Sequence, residues 1–389
     1  MTVLPTHILD DPALQAVLQA IGADGHRAFL VGGAVRNALL DQPVQDIDIA
    51  TDARPDQVIE LAARAGLKSV PTGLDHGTVT VVAKGSGFEV TTFRRDVETD
   101  GRRATVAFSG DLAEDAARRD FTMNALYADA SGQVIDPVGG LPDLHARRLR
   151  FVGQPEQRIR EDYLRILRFF RFLAWYGREA EPSAVAACRA LRDGLDGISR
   201  ERVGQEMRKL LRAPDPCASI RLMIDTGVLD KVLPGATPLR FFGFEALGGN
   251  GGLWLGRLAA LSQGDLTDAL RLSRHEAQGH KALVTAMAGN WSFNRIAYHL
   301  DGTQAESAAL LVQTCDTGQA RPRNGWPEAR EAARNARLPI SARDLQPDLS
   351  GPDLGRGLKA AEQAWIDSGF TLVAPALIST ALHAGKEDI

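Results

Sequence analysis

Apolar and polar positions change period partway along this chain, and the change divides it. After Asp11-Pro12, Leu14, Val17, Leu18 and Ile21 recur at helical spacing, which predicts an amphipathic helix ending near Gly25. Ala28-Phe29-Leu30-Val31 is a short apolar run closed by Gly32-Gly33, the pattern of a buried strand turning into a helix through Ala38-Leu39-Leu40. Between Val44 and Thr51, Ile47 and Ile49 alternate with Asp46 and Asp48, so a strand there sends both isoleucines into a core and both carboxylates to the other face. A helix is expected after Pro55, and Thr78-Val79-Thr80-Val81-Val82 with Phe88-Glu89-Val90-Thr91-Thr92-Phe93 reads as a hairpin around Lys84-Gly85-Ser86-Gly87. From about Arg147 the period is helical and rich in leucine and alanine, with breaks at Ala213-Pro214-Asp215-Pro216 and Leu233-Pro234-Gly235. Gly248-Gly249-Asn250-Gly251-Gly252 and the stretch around Arg321-Pro322-Arg323 read as loops. The expected fold class is α+β: an N-terminal mixed-sheet head over residues 1–146, an all-helical neck over 147–235, and a helical body and tail over 236–389.

Composition supports that division. A chain of 389 residues exceeds the size at which one core keeps growing, and a 44% hydrophobic fraction is ample for more than one. Cys188, Cys217 and Cys315 are too few and too scattered for a disulfide framework or a cysteine zinc site, which favours a reducing compartment. No basic segment precedes an apolar stretch at the N-terminus, and no window approaches the roughly 18 apolar residues of a membrane span. These features together predict a cytoplasmic protein without a membrane partner. The net charge of −4 counts against a nucleic-acid binder until its distribution is read, because eight arginines stand against three acids between Arg147 and Arg171. That run can meet the phosphates of an RNA end; it can equally be a solvated face laced with ion pairs such as Glu161 with Arg165 at i,i+4.

The candidate chemistry sits where the periods change. Asp46 and Asp48 side by side repel one another, and a divalent cation relieves the repulsion, carboxylate oxygens being the hard ligands Mg²⁺ prefers when substrate phosphates complete its shell. Gly32 and Gly33 permit close approach of backbone amides to an anion, and Arg36 adds a fork of donors matched to phosphate. The segment has neither the dinucleotide fingerprint nor the Lys-Ser/Thr ending of a P-loop, which argues against a Rossmann enzyme or an ordinary NTPase. Glu89 is a candidate third carboxylate if a neighbouring strand carries it beside the aspartates. Asp162, Arg165, Arg168 and Arg171 step by three along an expected helix, so the stripe slides by about 60° per step. Asp162 and Arg165 are then neighbours, offering an acceptor and a donor fork that complement the edge of a base, while Arg171 falls on the far side. Read from the residues alone, Arg119-Asp120 is a local ion pair beside a cap. The eight histidines show no metal-ligand spacing.

In their order, these segments resemble the class II tRNA nucleotidyltransferase and bacterial poly(A) polymerase group of the polymerase-beta nucleotidyltransferase superfamily. Leu30-Val31-Gly32-Gly33-Ala34-Val35-Arg36 with Asp46-Ile47-Asp48 is similar to its first motif, and Arg118-Arg119-Asp120-Phe121-Thr122-Met123-Asn124-Ala125 to its second. Asp136-Pro137-Val138-Gly139-Gly140 with Asp143-Leu144 follows. The run from Gln157 through Glu161-Asp162-Tyr163-Leu164-Arg165 to Phe172 resembles the nucleotide-selecting helix, and Ile198-Ser199-Arg200-Glu201-Arg202 the element closing the neck. The resemblance spans about residues 28 to 210, with Asn37 departing from an aspartate common in relatives.

The resemblance implies catalysis at Asp46, Asp48 and Glu89, with Asp46 and Asp48 as Mg²⁺ ligands. It implies nucleotide binding by Gly32, Gly33, Arg36, Arg119, Asp120 (toward ribose), Asn124 (toward phosphate), Asp162, Arg165, Arg168 and Arg171. It further implies a flexible loop at Asp96 to Arg103, and addition of C, C and A to tRNA from CTP and ATP by two-metal nucleotidyl transfer without a nucleic-acid template. A poly(A) polymerase shares the head motifs, and a specialist adding only CC or only A also fits. A nonenzymatic RNA-binding protein on a degenerate head sits poorly with intact Asp46, Asp48 and Arg119.

Overall fold

The computed structural model describes residues 2–100, 103–346 and 348–386. These form two compact units: one of residues 1–206 with 218–232, the other of 207–217 with 233–389. The expected head and most of the expected neck, residues 147–206 and 218–232, thus belong to one body.

In the first unit Asp11 caps the helix Pro12–Ile21, its carboxylate accepting from Ala13 N–H at 2.8 Å, the usual device for an otherwise unpaired first-turn amide. Leu14, Val17, Leu18 and Ile21 are buried on one face. The strands are β1 (Ala28–Val31), β2 (Asp48–Thr51), β3 (Lys68–Gly73), β4 (Thr78–Ala83), β5 (Ser86–Thr92), β6 (Arg94–Asp100), β7 (Arg103–Phe108), β8 (Tyr127–Ala128) and β9 (Val134–Ile135). Seven of them make one sheet in the order β3-β4-β5-β2-β1-β8-β9, mixed because β2 and β5 run parallel while the other neighbours are antiparallel. β4 and β5 join through Lys84 and Gly85, both at positive φ, as the shortest hairpin turns demand. β6 and β7 form a separate hairpin over the segment expected to be a flexible loop, of which Gly101 and Arg102 lie outside the described residues.

Phe29, Val31, Ala50, Phe93, Ala116, Ala125 and Tyr127 close the sheet's core. Phe121, Phe151, Phe169 and Phe172 then stack together at centroid separations of 4.9 to 6.2 Å. This aromatic cluster ties the segment after Asp120 to the helix Leu164–Tyr176, so the first helices after the sheet are anchored to it by burial of large apolar surfaces.

Helices make up the second unit. Arg257, fully buried, pairs with Glu245 at 2.7 Å and donates to the carbonyls of Leu211 and Ala213. With every one of those donors matched, the buried charge is tolerated. The last two helices, Gly351–Asp367 and Ala374–Lys386, enclose Leu349, Ala361, Trp365, Ile366, Leu377 and Ala381. No helix among the described residues is long and apolar enough to cross a membrane.

Candidate functional site

β1 delivers the chain into a turn that only glycine adopts with ease: Gly32 has φ 64° and ψ −117°. Arg119 Nη1 would stand 3.4 Å from a Cβ at that position, an ordinary contact distance, so the backbone conformation rather than crowding calls for glycine, and the arginine lies directly against the loop. The register of β1 against β2 places Val31 opposite Asp48. Parallel pairing of β2 with β5 places Asp48 opposite Glu89, and Ile49 behind them is fully buried. Asp46 stands just before β2 and is exposed, Ile47 is only half-buried, and past Asp48 the strand is buried at Ile49, Ala50 and Thr51 alike, so the expected alternation is not kept along this central strand.

Burial and the negative charges of Glu89 and Asp46 push the Asp48 carboxyl above its ordinary range, against an opposing pull from Arg119. A cluster of carboxylates that repel one another is the electrostatic setting a divalent cation relieves, so the residues present fit such an ion. Among the described residues, no three His, Cys, Asp or Glu side chains close into a complete ligand set; two aspartates completed by substrate oxygens need no third.

Beside this edge lies a cleft of about 310 Å³ lined by Arg94, Arg118, Arg119, Asp120, Asp162, Leu164, Arg165, Arg168 and Arg202. It brings together five of the expected nucleotide-binding residues, Arg119, Asp120, Asp162, Arg165 and Arg168. Arg119 and Asp120 do not pair with each other. Arg119 binds Asp115 at 3.0 Å and Tyr127 OH at 2.9 Å, while Asp120 accepts two bonds from Arg168, at 2.5 and 3.0 Å, and one from Asn124. Burial opposes ionisation of Asp120, but the Arg168 guanidinium and the Asn124 amide hold its carboxyl below the usual range. Any ribose hydroxyl therefore competes with Arg168 for this carboxylate.

The single helix expected through Asp162 is two. Pro155–Glu161 ends where Asp162 adopts extended backbone (φ −155°, ψ 105°), and Leu164–Tyr176 begins beyond it. Asp162 and Arg165 are accordingly not neighbours on one helix. What joins them instead is a local turn: Arg165 N–H donates to the Asp162 carbonyl, and the Asp162 side chain accepts from Leu164 N–H at 3.1 Å, capping the second helix. Asp162 pairs with Arg202 at 2.6 Å, and Arg165 with Glu161 at 2.5 Å across the break. Both side chains still line the one cleft.

Three expected residues are turned elsewhere. Arg36 is buried, donates to Asn124 Oδ1 and to Asn37 Oδ1, and lies 3.8 Å from the Tyr176 ring centroid. Asn124 links Arg36 to Asp120 rather than facing the cleft. Arg171 pairs with Glu206 at 2.5 Å and packs on Phe172. Arg36→Ala would strand the Asn124 carbonyl and uncover an aromatic face, and is expected to lower unfolding free energy by roughly 2 to 4 kcal/mol. A denaturant midpoint equal to wild type would show that Arg36 does not brace this network.

Asp115 and Tyr127, outside every motif quoted above, and Arg158 and Arg202, within them but given no contact of their own, also shape the site. Arg158 donates to the backbone carbonyls of Arg118 and Arg119. Asp136 caps Gly140 and Leu141 N–H, and Asp143 accepts from Thr122 and Arg150, so the 136–144 motif holds the 118–124 segment in place. The spacing of Asp115 and Arg119 at i,i+4 was the one local signal available.

A mixed sheet with acidic side chains on adjoining strands beside a glycine turn, and an arginine-rich cleft next to them, defines a nucleotidyltransferase head. The Poly A polymerase head domain matches residues 28–150, and the probable RNA- and SrmB-binding site of polymerase A matches 179–239. The crystal structure of the Bacillus stearothermophilus CCA-adding enzyme in complex with CTP is similar over 92% of both chains, with a TM-score of 0.71 and 31% identity. The Thermotoga maritima CCA-adding enzyme complexed with tRNA shares the fold at a TM-score of 0.69 and 20% identity, over 98% of this chain and 99% of that one. CCA-adding enzymes of Leuconostoc citreum (42% identity over 57% of this chain) and Geobacillus thermodenitrificans (41% over 56%) match too, each over 54% of its own length, so the match spans about half the length of these curated relatives. The chain belongs to the tRNA nucleotidyltransferase and poly(A) polymerase family.

Proposed function

We propose that this chain adds C, C and A to tRNA 3′ ends from CTP and ATP, choosing nucleotides with protein side chains rather than a nucleic-acid template. The observation that carries the reading is the cleft in which Asp162 and Arg165, an acceptor and a donor fork, stand with Arg119, Asp120 and Arg168. An acidic group and a guanidinium can match the hydrogen-bonding edge of a base, and the remaining arginines suit a triphosphate. Asp46 and Asp48 would hold Mg²⁺, with Glu89 across the strand pair. Bound there, Mg²⁺ supplies Lewis acidity that favours ionisation of the RNA 3′-hydroxyl and neutralises charge on the departing pyrophosphate. The protein's own contribution is positional: Arg119 and the Gly32 turn fix the triphosphate, and the cleft aligns the α-phosphorus for attack. No protein nucleophile is required.

We assign tRNA binding to the helical residues 236–389 together with 179–239, where the family's RNA-binding description matches, and the site of action to the cytoplasm, which the three free thiols suit. The family description of the head favours poly(A) addition as a second reading. Purified protein incubated with tRNA lacking its CCA end and each labelled nucleotide separates the two: stepwise extension by two cytidines and one adenosine is expected, whereas long adenosine tails without CTP use would establish the alternative. Deleting Asp100-Gly101-Arg102 is expected to spare the cytidines and suppress the adenosine, read on the same gel. Equal loss of both steps would leave that segment a folding role.

A further inference from the structure

We infer that Asp115 is a positioning residue for nucleotide binding: its carboxylate locks the Arg119 guanidinium so that one nitrogen faces the Gly32 turn. The inference rests on the proposed reading that Arg119 grips the nucleotide. Asp115 is almost fully buried, and both its oxygens are engaged. Oδ2 accepts from Arg119 Nη2 at 3.0 Å, from Arg119 Nε at 3.3 Å and from Tyr127 OH at 2.7 Å. Oδ1 accepts from the backbone N–H of Arg94 at 3.1 Å, at the root of the β6–β7 hairpin. Tyr127 OH in turn accepts from Arg119 Nε at 2.9 Å, and its ring lies 5.2 Å beneath the guanidinium.

Tyr127 is itself placed by β8, where it pairs with Val31, the residue before Gly32. A closed set of bonds therefore runs from the strand feeding the glycine turn, through Tyr127 and Asp115, to Arg119. Nε and Nη2 are used within that set. Nη1 is the nitrogen near Gly32, and a quarter of the Arg119 side chain is exposed on the cleft. An arginine normally gives up much rotamer freedom when it clamps a phosphate, and one held in place beforehand gives up less. Because Asp115 subtracts charge from the cleft while fixing the donor, its benefit to an anionic ligand is orientation.

A buried triad can also serve only to hold the fold, and the test separates the two roles. Equilibrium dialysis of CTP and of ATP, without tRNA, is run on the full chain carrying Asp115→Asn, Arg119→Ala, and both together. Asp115→Asn keeps the side-chain volume while weakening the grip on Arg119. Expected are a rise of about tenfold in Kd for both nucleotides, an unchanged Kd for tRNA, and no further rise when the substitution is added to Arg119→Ala. Should Asp115→Asn fail to fold, Tyr127→Phe removes one anchor only and is expected to weaken nucleotide binding by a smaller factor, again with no effect in the Arg119→Ala background. Unchanged nucleotide Kd in a folded variant, or losses that multiply in the double substitution, would overturn the inference. Wild-type protein that binds CTP with this pattern and yet adds nothing to tRNA would reject the proposed function and leave the role of Asp115 standing.

Discussion

Asp48→Ala is expected to abolish nucleotide incorporation, by at least about 10³-fold or ~4 kcal/mol of transition-state stabilisation, while leaving the head folded. The loss follows if Asp48 ligates the ion that polarises the reacting groups. The retained fold follows from its surroundings. Asp48 is the first residue of β2, the central strand, where its side chain is exposed opposite Glu89, and the core behind it is made by Ile49 and Ala50. Its carboxyl is raised by burial, by Glu89 and by Asp46. A carboxyl with a raised folded pKa burdens the native state wherever it is ionised, and the burden fades as pH falls through that pKa toward the ordinary value of about 4. The substitution should therefore raise Tm at neutral pH in the absence of Mg²⁺, with a gain that shrinks on acidification. Asp46→Ala should match the activity loss. Near-normal turnover of either variant at ordinary Mg²⁺ would remove the proposed metal site, and a Tm gain that grows on acidification would contradict the electrostatic account of it.

Gly32, Asp48 and the β4–β5 turn were legible because each is a local signal: a glycine pair after an apolar run, acidic residues leading into an apolar strand, a Lys-Gly turn between periodic segments. The placement of Glu89 across from Asp48 was partly legible, since strand alternation fixes its face while only the sheet order supplies its neighbour. Asp162 was misread for an instructive reason. Apolar residues keep a helical period from Ile159 to Phe172, and period alone does not register a two-residue break. Yet Asp162 stands two residues before Leu164 and accepts from its N–H, the habit of a helix-capping aspartate.

The partners that complete the cleft were out of reach for another reason. Asp120 and Arg168 are 48 positions apart, and Asp162 and Arg202 are 40 apart. Nothing in the spacing of one arginine among many says which carboxylate it will meet. The same limit hid the surroundings of Arg36, expected as a phosphate donor and placed in a buried network, because its neighbours Tyr176 and Asn124 lie far along the chain. The expected ion pair of Glu161 with Arg165 does form, although the helix presumed to align it is interrupted between them.

Asp162→Ala is expected to relax discrimination among nucleotides more than it slows transfer, making UTP and GTP usable. Loss of one hydrogen-bonding partner to the base is worth roughly 0.5 to 3 kcal/mol, a severalfold to hundredfold change in selectivity. The side chain has two other tasks, capping Leu164 and pairing with Arg202, so alanine is also expected to lower stability by about 1 kcal/mol. Asp162→Asn separates these effects. Asparagine caps a helix about as well as aspartate, so stability should return, but its amide presents donors where the carboxylate offered only acceptors, so the altered selectivity should remain. Arg165→Ala should weaken both CTP and ATP, since the donor fork is lost to each. If Asp162 is only a cap with an ion pair, Asp162→Asn will regain the cap's share of stability with wild-type nucleotide preferences, and Asp162→Ala will lose stability with its nucleotide preferences intact. Values of kcat/KM for all four nucleotides on one truncated tRNA, measured beside the melting temperatures, decide the matter: unchanged ratios in Asp162→Ala would refute base reading by this residue.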